Sequence, residues 1–180
     1  MTDFAPHAFF SNHWQAPEQL RVTPVQQRWL LAAGSMTAQL QALGELSVRS
    51  LHEHESTLPE DEADFLGVPP ASPCLLREVA LCVDDAPCVF ARSLLPLSSL
   101  TGTNAVLATM AARPLGSELF RAPEAERRTM QACLLPGEQL PQNLACQQPE
   151  LLARRSLFLK NGLPLLVAEC FLPALWQRLA

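Results

Sequence analysis

An α+β domain built on one antiparallel sheet is the architecture this sequence predicts. Three features predict it. Asn161-Gly162 stands between two apolar runs, Arg154 to Lys160 and Pro164 to Leu172, and that dipeptide in that setting is the strongest short hairpin signal. Asp84-Asp85-Ala86-Pro87 separates a second pair of apolar runs in the same way. Helical patterns are inserted between the hairpins instead of alternating with single strands, which argues against parallel βαβ units.

Taken in order, Thr23-Pro24 opens a helix, with threonine at the N-cap and proline at the first helical position. Gly34 stops it, and Ser35 caps a second short helix, Met36 to Leu43, which ends at Gly44. Residues 1–22 before it are expected to be loosely ordered. Glu45 to Glu55 alternates as a strand, and 56–73, rich in proline and acids, reads as a loop. Leu75 to Val83 and Cys88 to Leu95 are strands, ended by Pro96. Thr103 caps a helix over Asn104 to Met110, and a short helix, Leu115 to Phe120, follows Pro114. Glu126 to Leu134 is another strand, and 135–149 a Pro/Gln-rich loop.

Composition narrows the function. The chain has 180 residues, of which 48% are hydrophobic, enough for one domain with a core. Its net charge of −5 and lack of a basic block leave no electrostatic footprint for nucleic acid or an anionic membrane. The N-terminus lacks the basic and apolar regions of a signal peptide. The most apolar stretch, Leu163 to Trp176, holds Glu169 and two prolines and is too short to span a bilayer. Six cysteines without a C-x-x-C pair point to buried, reduced thiols.

Two charges sit on the wrong face. Side chains alternate along a strand, so Leu75, Arg77, Val79, Leu81 and Val83 share one face, and Leu165, Val167, Glu169 and Phe171 share another. Each is a core face carrying a charge, which is costly unless the charge is paired and hydrogen-bonded. A structural Arg77–Glu169 ion pair, or strands that curl toward solvent, would answer the cost. So would a shared pocket that receives a ligand. An arginine fork suits a planar carboxylate, and a carboxylate withdrawn from water can act as acid, base or hydroxyl acceptor.

The remaining candidates carry less. His52-Glu53-His54-Glu55 imitates half of a metal site, but no third ligand is evident and a solvated edge explains it. His7 and His13 lie in the N-terminal segment. Arg127-Arg128 and Arg154-Arg155 read as solvated strand ends, of which one member each could turn inward to meet a second anion. Gly34-Ser35-Met36-Thr37 lacks the glycines and lysine of a phosphate loop. No nucleophile elbow or nucleotide fingerprint is present.

Several segments in order resemble the chorismate lyase family. They are Gly34-Ser35-Met36-Thr37, Leu76 to Cys82, Ala91 to Pro96, Arg113 to Phe120, Arg154-Arg155-Ser156 and Pro164 to Pro173. The resemblance covers roughly residues 25–173. It implies a single-domain antiparallel sheet with helices on one side and helical flaps over an enclosed site. It implies that Arg77 holds a ring carboxylate, that Glu169 contacts the 4-hydroxyl, and that main-chain groups at Met36 and Leu115 complete the shell. It implies conversion of chorismate to 4-hydroxybenzoate and pyruvate for ubiquinone synthesis, by a cytoplasmic monomer with no metal or other cofactor. Arg155 or Arg128 is the expected contact for the second carboxylate. Where the family has a Trp-Gly pair, this chain reads Glu150-Leu151-Leu152-Ala153, and its 135–149 loop is longer; both changes bear on flap shape. Two other functions fit the same fold: a sensor domain for an aromatic acid, and an enzyme forming a different hydroxybenzoate. A sensor of this kind usually follows a DNA-binding domain, for which the two dozen residues before the first helix are too few.

Overall fold

The computed structural model describes residues 13–180. Six strands form one sheet: β1 (Leu46–Thr57), β2 (Pro73–Val83), β3 (Ala86–Pro96), β4 (Glu126–Leu135), β5 (Leu151–Lys160) and β6 (Leu163–Phe171). Their order is β1-β2-β3-β6-β5-β4, and every neighbouring pair is antiparallel. Both predicted hairpins are present and tight. Asp84 and Asp85 have φ of 47° and 63°, and Asn161 and Gly162 have 52° and 78°, the two left-handed positions that a primed turn needs to match strand twist. The second turn pairs Lys160 with Leu163, and this register carries down the hairpin to pair Arg154 with Glu169.

Five α-helices accompany the sheet: α1 (Pro24–Leu30), α2 (Met36–Gln41), α3 (Glu60–Leu66), α4 (Gly116–Leu119) and α5 (Pro173–Arg178). Thr23 and Gln26 cap α1 reciprocally, and the Ser35 hydroxyl accepts from the Ala38 amide at the start of α2. Leucines and other apolar residues of α1, α2 and α5 pack on Val79, Leu81, Val89, Ala91 and Phe171, and α4 packs nearby on Leu95, Phe158, Leu165 and Val167. These four helices cover one face of the sheet.

Helix α3 covers the other face, within a stretch read from sequence as loop. Three acids in its first turn suit the helix dipole, and Gly67, at φ 68°, ends it in the left-handed conformation. Proline and charge density masked these signals. Two ion pairs fasten α3 to the sheet: Glu62 with Arg92, both buried, and Asp61 with Arg155 at 3.2 Å. Burial pushes the Glu62 carboxyl pKa up, with Arg92 pulling against it.

Other boundaries differ in smaller ways. The segment expected as an α-helix over Asn104 to Met110 is a 3-10 helix, Gly102–Thr109. Strand β5 begins three residues earlier than expected, at Leu151. Of the N-terminal segment expected to be loosely ordered, residues 1–12, with His7, lie outside the described residues. The rest is docked. Gln15 exchanges two backbone hydrogen bonds with Ala132 on the open edge of β4, and Trp14 packs on the core beside α3. All six cysteines are free; Cys146 is half-buried and the others buried.

Candidate functional site

The site begins with two small residues on the central strand. In β3, Ala91 and Ser93 point to the face covered by four helices. Ser93 lies opposite Arg77 of β2 and Val167 of β6; Ala91 lies opposite Val79 and Glu169. Arg77 and Glu169 are thus on one face with β3 between them, and the two short side chains leave the space over that strand open. A cavity occupies this space and opens to solvent at its mouth. Of the site residues named from the sequence, Met36, Arg77, Leu115 and Glu169 line it, and Arg155 and Arg128 do not.

Arg77 and Glu169 do not pair with each other. Arg77 is 2% exposed, and its Nε faces a Glu53 carboxylate oxygen at 3.2 Å. Its Nη2 donates to the carbonyls of Ala111 and Arg113, tying the segment that leads into α4 down onto the sheet. No acceptor among the described residues meets Nη1. Burial pulls the Arg77 pKa down and Glu53 pulls it back. Glu169 accepts from Arg154 Nε at 2.6 Å. Arg154 is fully buried, and its Nη1 donates to the carbonyls of Trp29, Leu30 and Ala32 at 3.2, 2.9 and 3.1 Å. One arginine therefore holds both the Glu169 carboxylate and the orphan carbonyls at the end of α1.

Two lids close the cavity. Gly34, Met36 and Thr37, at the start of α2, form one; Pro114, Leu115, Gly116 and Leu119, around α4, form the other. They meet at Gly116, where a β-carbon would stand 2.8 Å from Thr37 Oγ1 and 3.2 Å from Ser35 Oγ. A β-carbon at this position would require the Thr37 hydroxyl to shift.

The two arginines expected at a second anion lie elsewhere. Arg128 is exposed and pairs with Glu126 at 3.0 Å. It falls at a register shift in which Arg127 opposes Phe158 and Thr129 opposes Leu157, so Arg128 is the bulged residue. Arg155 points to the opposite face, its guanidinium between the rings of Trp14 and Phe65 at 4.8 and 4.3 Å. Their neighbours face the site instead. Arg127 lines the cavity over the Phe158 ring at 4.9 Å, and Arg154 backs Glu169. Arg154 was legible in principle, because a two-residue turn at Asn161-Gly162 pairs it with Glu169 by counting. No such count exposes the bulge that turns Arg127 inward. Glu53 was also missed. The run read as a solvated edge places Glu53 against Arg77 and His52 Nδ1 at 3.0 Å from Glu78.

A covered sheet face with an arginine and a glutamate across one cavity, under two helical lids, is the arrangement of a small-molecule pocket. The chain belongs to the chorismate lyase family, whose sequence profile matches residues 9–180. It is 41% identical to a probable chorismate pyruvate-lyase of Alcanivorax borkumensis, over 92% of this chain and 78% of that one. It is 40% identical to one of Pseudomonas aeruginosa, over 92% and 93%. In fold it is similar to the effector domain of PhnF from Mycobacterium smegmatis, with a TM-score of 0.58 and 20% identity over 80% of this chain and 91% of that one. A GntR-family transcriptional regulator from Bacillus cereus has a TM-score of 0.53 and 14% identity, over 73% and 94%. These likenesses concern the fold.

Proposed function

We propose that this protein converts chorismate to 4-hydroxybenzoate and pyruvate. The observation that carries the reading is that Arg77 and Glu169 line one cavity in a chain of this family. Chorismate has a cyclohexadiene ring with a carboxylate, a 4-hydroxyl and an enolpyruvyl ether at C3. In the reaction the C3–O bond breaks, its electron pair leaving with the enolpyruvate. The C4 proton leaves and its electron pair closes C3=C4, making the ring aromatic. The enolpyruvate takes a proton at its methylene carbon and becomes pyruvate.

Aromatisation drives this step, so the protein's part is to hold one conformer and exclude water. The two Nη1 hydrogens of Arg77, the donors left over from Glu53 and the two carbonyls, clamp the ring carboxylate. Glu169, fixed by Arg154, accepts from the 4-hydroxyl. The ring lies over Ala91 and Ser93, with main-chain groups at Met36 and Leu115 completing its shell. The lids at α2 and α4 open for product release. No cofactor takes part, and the protein acts as a monomer in the bacterial cytoplasm, at the first committed step of ubiquinone synthesis.

The test is purified protein mixed with chorismate in EDTA, without added cofactor, with products followed by chromatography. Stoichiometric 4-hydroxybenzoate and pyruvate are expected. A different hydroxybenzoate would change the reaction, and intact chorismate with tight binding of an aromatic acid would make the protein a sensor. Gly116→Ala is expected to force α4 away from α2, weakening 4-hydroxybenzoate binding several-fold with unchanged circular dichroism. Equal affinity would show that the lids do not have to meet there.

A further inference from the structure

Arg127 differs from the other inward-facing arginines. Arg77 faces Glu53, Arg92 Glu62, Arg154 Glu169 and Arg155 Asp61. Among the described residues Arg127 forms no ion pair. Its Nη1 donates to the Ala32 carbonyl at 2.8 Å and its face lies on Phe158; its Nε, like that of Arg77, is buried without a hydrogen-bond partner. Burial and the neighbouring Arg154 charge disfavour its charge, and Glu169, already paired with Arg154, offsets them in part. A desolvated cation in this position is costly unless something supplies the anion. Fastening the lid at Ala32 does not explain it, because Arg154 already donates to the same carbonyl at 3.1 Å.

We propose that Arg127 is a second carboxylate-binding residue, which holds the enolpyruvyl carboxylate of the substrate and has no counterpart to bind in the aromatic product. The proposal rests on chorismate being the substrate. Its geometry follows from the sheet order. Arg77 is on β2 and Arg127 on β4, with β3, β6 and β5 between them. Four inter-strand gaps put their backbones roughly 19 Å apart across the sheet. Two long side chains reaching over the sheet close much of that span. What remains suits a molecule whose two carboxylates stand at opposite ends. Arg77 then recognises what substrate and product share, and Arg127 what only the substrate has. Once C3–O breaks, the group on Arg127 is free pyruvate, and the aromatic ring stays on Arg77 and Glu169 alone.

The test compares substrate with product. A hydrogen bond to a charged group corresponds to roughly a 10- to 150-fold effect. Arg127→Gln is expected to lower kcat/KM for chorismate by that factor, mostly through KM, while the dissociation constant of 4-hydroxybenzoate, measured by calorimetry, stays within about threefold. Arg127→Lys should recover at least part of the loss, because it restores the charge. If substrate and product weaken by the same factor, or neither changes, the proposal is overturned. Wild-type protein supplies a check that needs no variant. 3-Carboxymethoxy-4-hydroxybenzoate, an aromatic acid with a second carboxylate on an ether arm, should bind at least tenfold tighter than 4-hydroxybenzoate; equal binding overturns the subsite. If chorismate is not turned over and the dicarboxylate still binds tighter, with the advantage lost in Arg127→Gln, the subsite stands and the lyase reading fails.

Discussion

Arg77→Ala is expected to lower kcat/KM for chorismate by about 10²- to 10⁴-fold and to weaken 4-hydroxybenzoate in step. Two charge-assisted hydrogen bonds to the ring carboxylate contribute about 1.5–3 kcal/mol each, which sets that range. Substrate and product carry the same ring carboxylate, so both should suffer, in contrast to Arg127→Gln. The variant also frees the carbonyls of Ala111 and Arg113 and leaves Glu53 facing an empty site. Some loosening of the α4 lid is therefore part of the expected effect. Steady-state kinetics with product titration separate the contributions, and Arg77→Lys keeps the charge while losing the fork. Near-normal efficiency in Arg77→Ala would place the carboxylate elsewhere in the cavity.

Glu169→Gln is expected to reduce kcat by about 10²- to 10⁴-fold, the range for a group that moves or orients a proton in the transition state. It should also destabilise the fold. Glu169 is the only carboxylate within ion-pair distance of Arg154 among the described residues, and Arg154 is fully buried. Breaking one side of such a pair costs about 3–5 kcal/mol. For a chain of this size that corresponds to a fall in Tm of roughly 6–20 °C. Replacing both members, Arg154→Met with Glu169→Gln, removes the stranded charge and should recover much of the Tm without recovering turnover. Thermal melts and kinetics on the three proteins decide the matter. If the double variant regained activity along with stability, Glu169 would be a structural partner of Arg154 and no part of the chemistry.

The likeness to regulator domains shows why the site, and not the sheet, carries the functional reading. A six-stranded antiparallel sheet under helices can house a sensor or an enzyme. The functional reading of this chain rests on the placement of Arg77, Glu169 and Arg127 around one cavity, each with different partners. Its relatives named as probable chorismate pyruvate-lyases set the family, and the roles of these residues are open to the measurements described above.

The sequence by itself determined the local features. Asn161-Gly162 and Asp84-Asp85 specify tight hairpins because only primed turns match strand twist, and those turns favour residues that accept positive φ. Strand parity placed Arg77 and Glu169 on covered faces, since alternation is a property of the chain alone. Only the tertiary structure decided the rest. Which strands lie side by side, and so whether Arg77 and Glu169 converge or pair, depends on contacts between segments far apart in sequence. The bulge at Arg128 shifts parity by one residue and turns Arg127 inward, which no periodicity in Glu126 to Leu134 announces. Arg155 points to the face that α3 covers, where Asp61 meets it, and Glu53 meets Arg77 across β1 and β2 past a second register shift. Burial of a charge is readable from one strand, but its partner is chosen by the register of several.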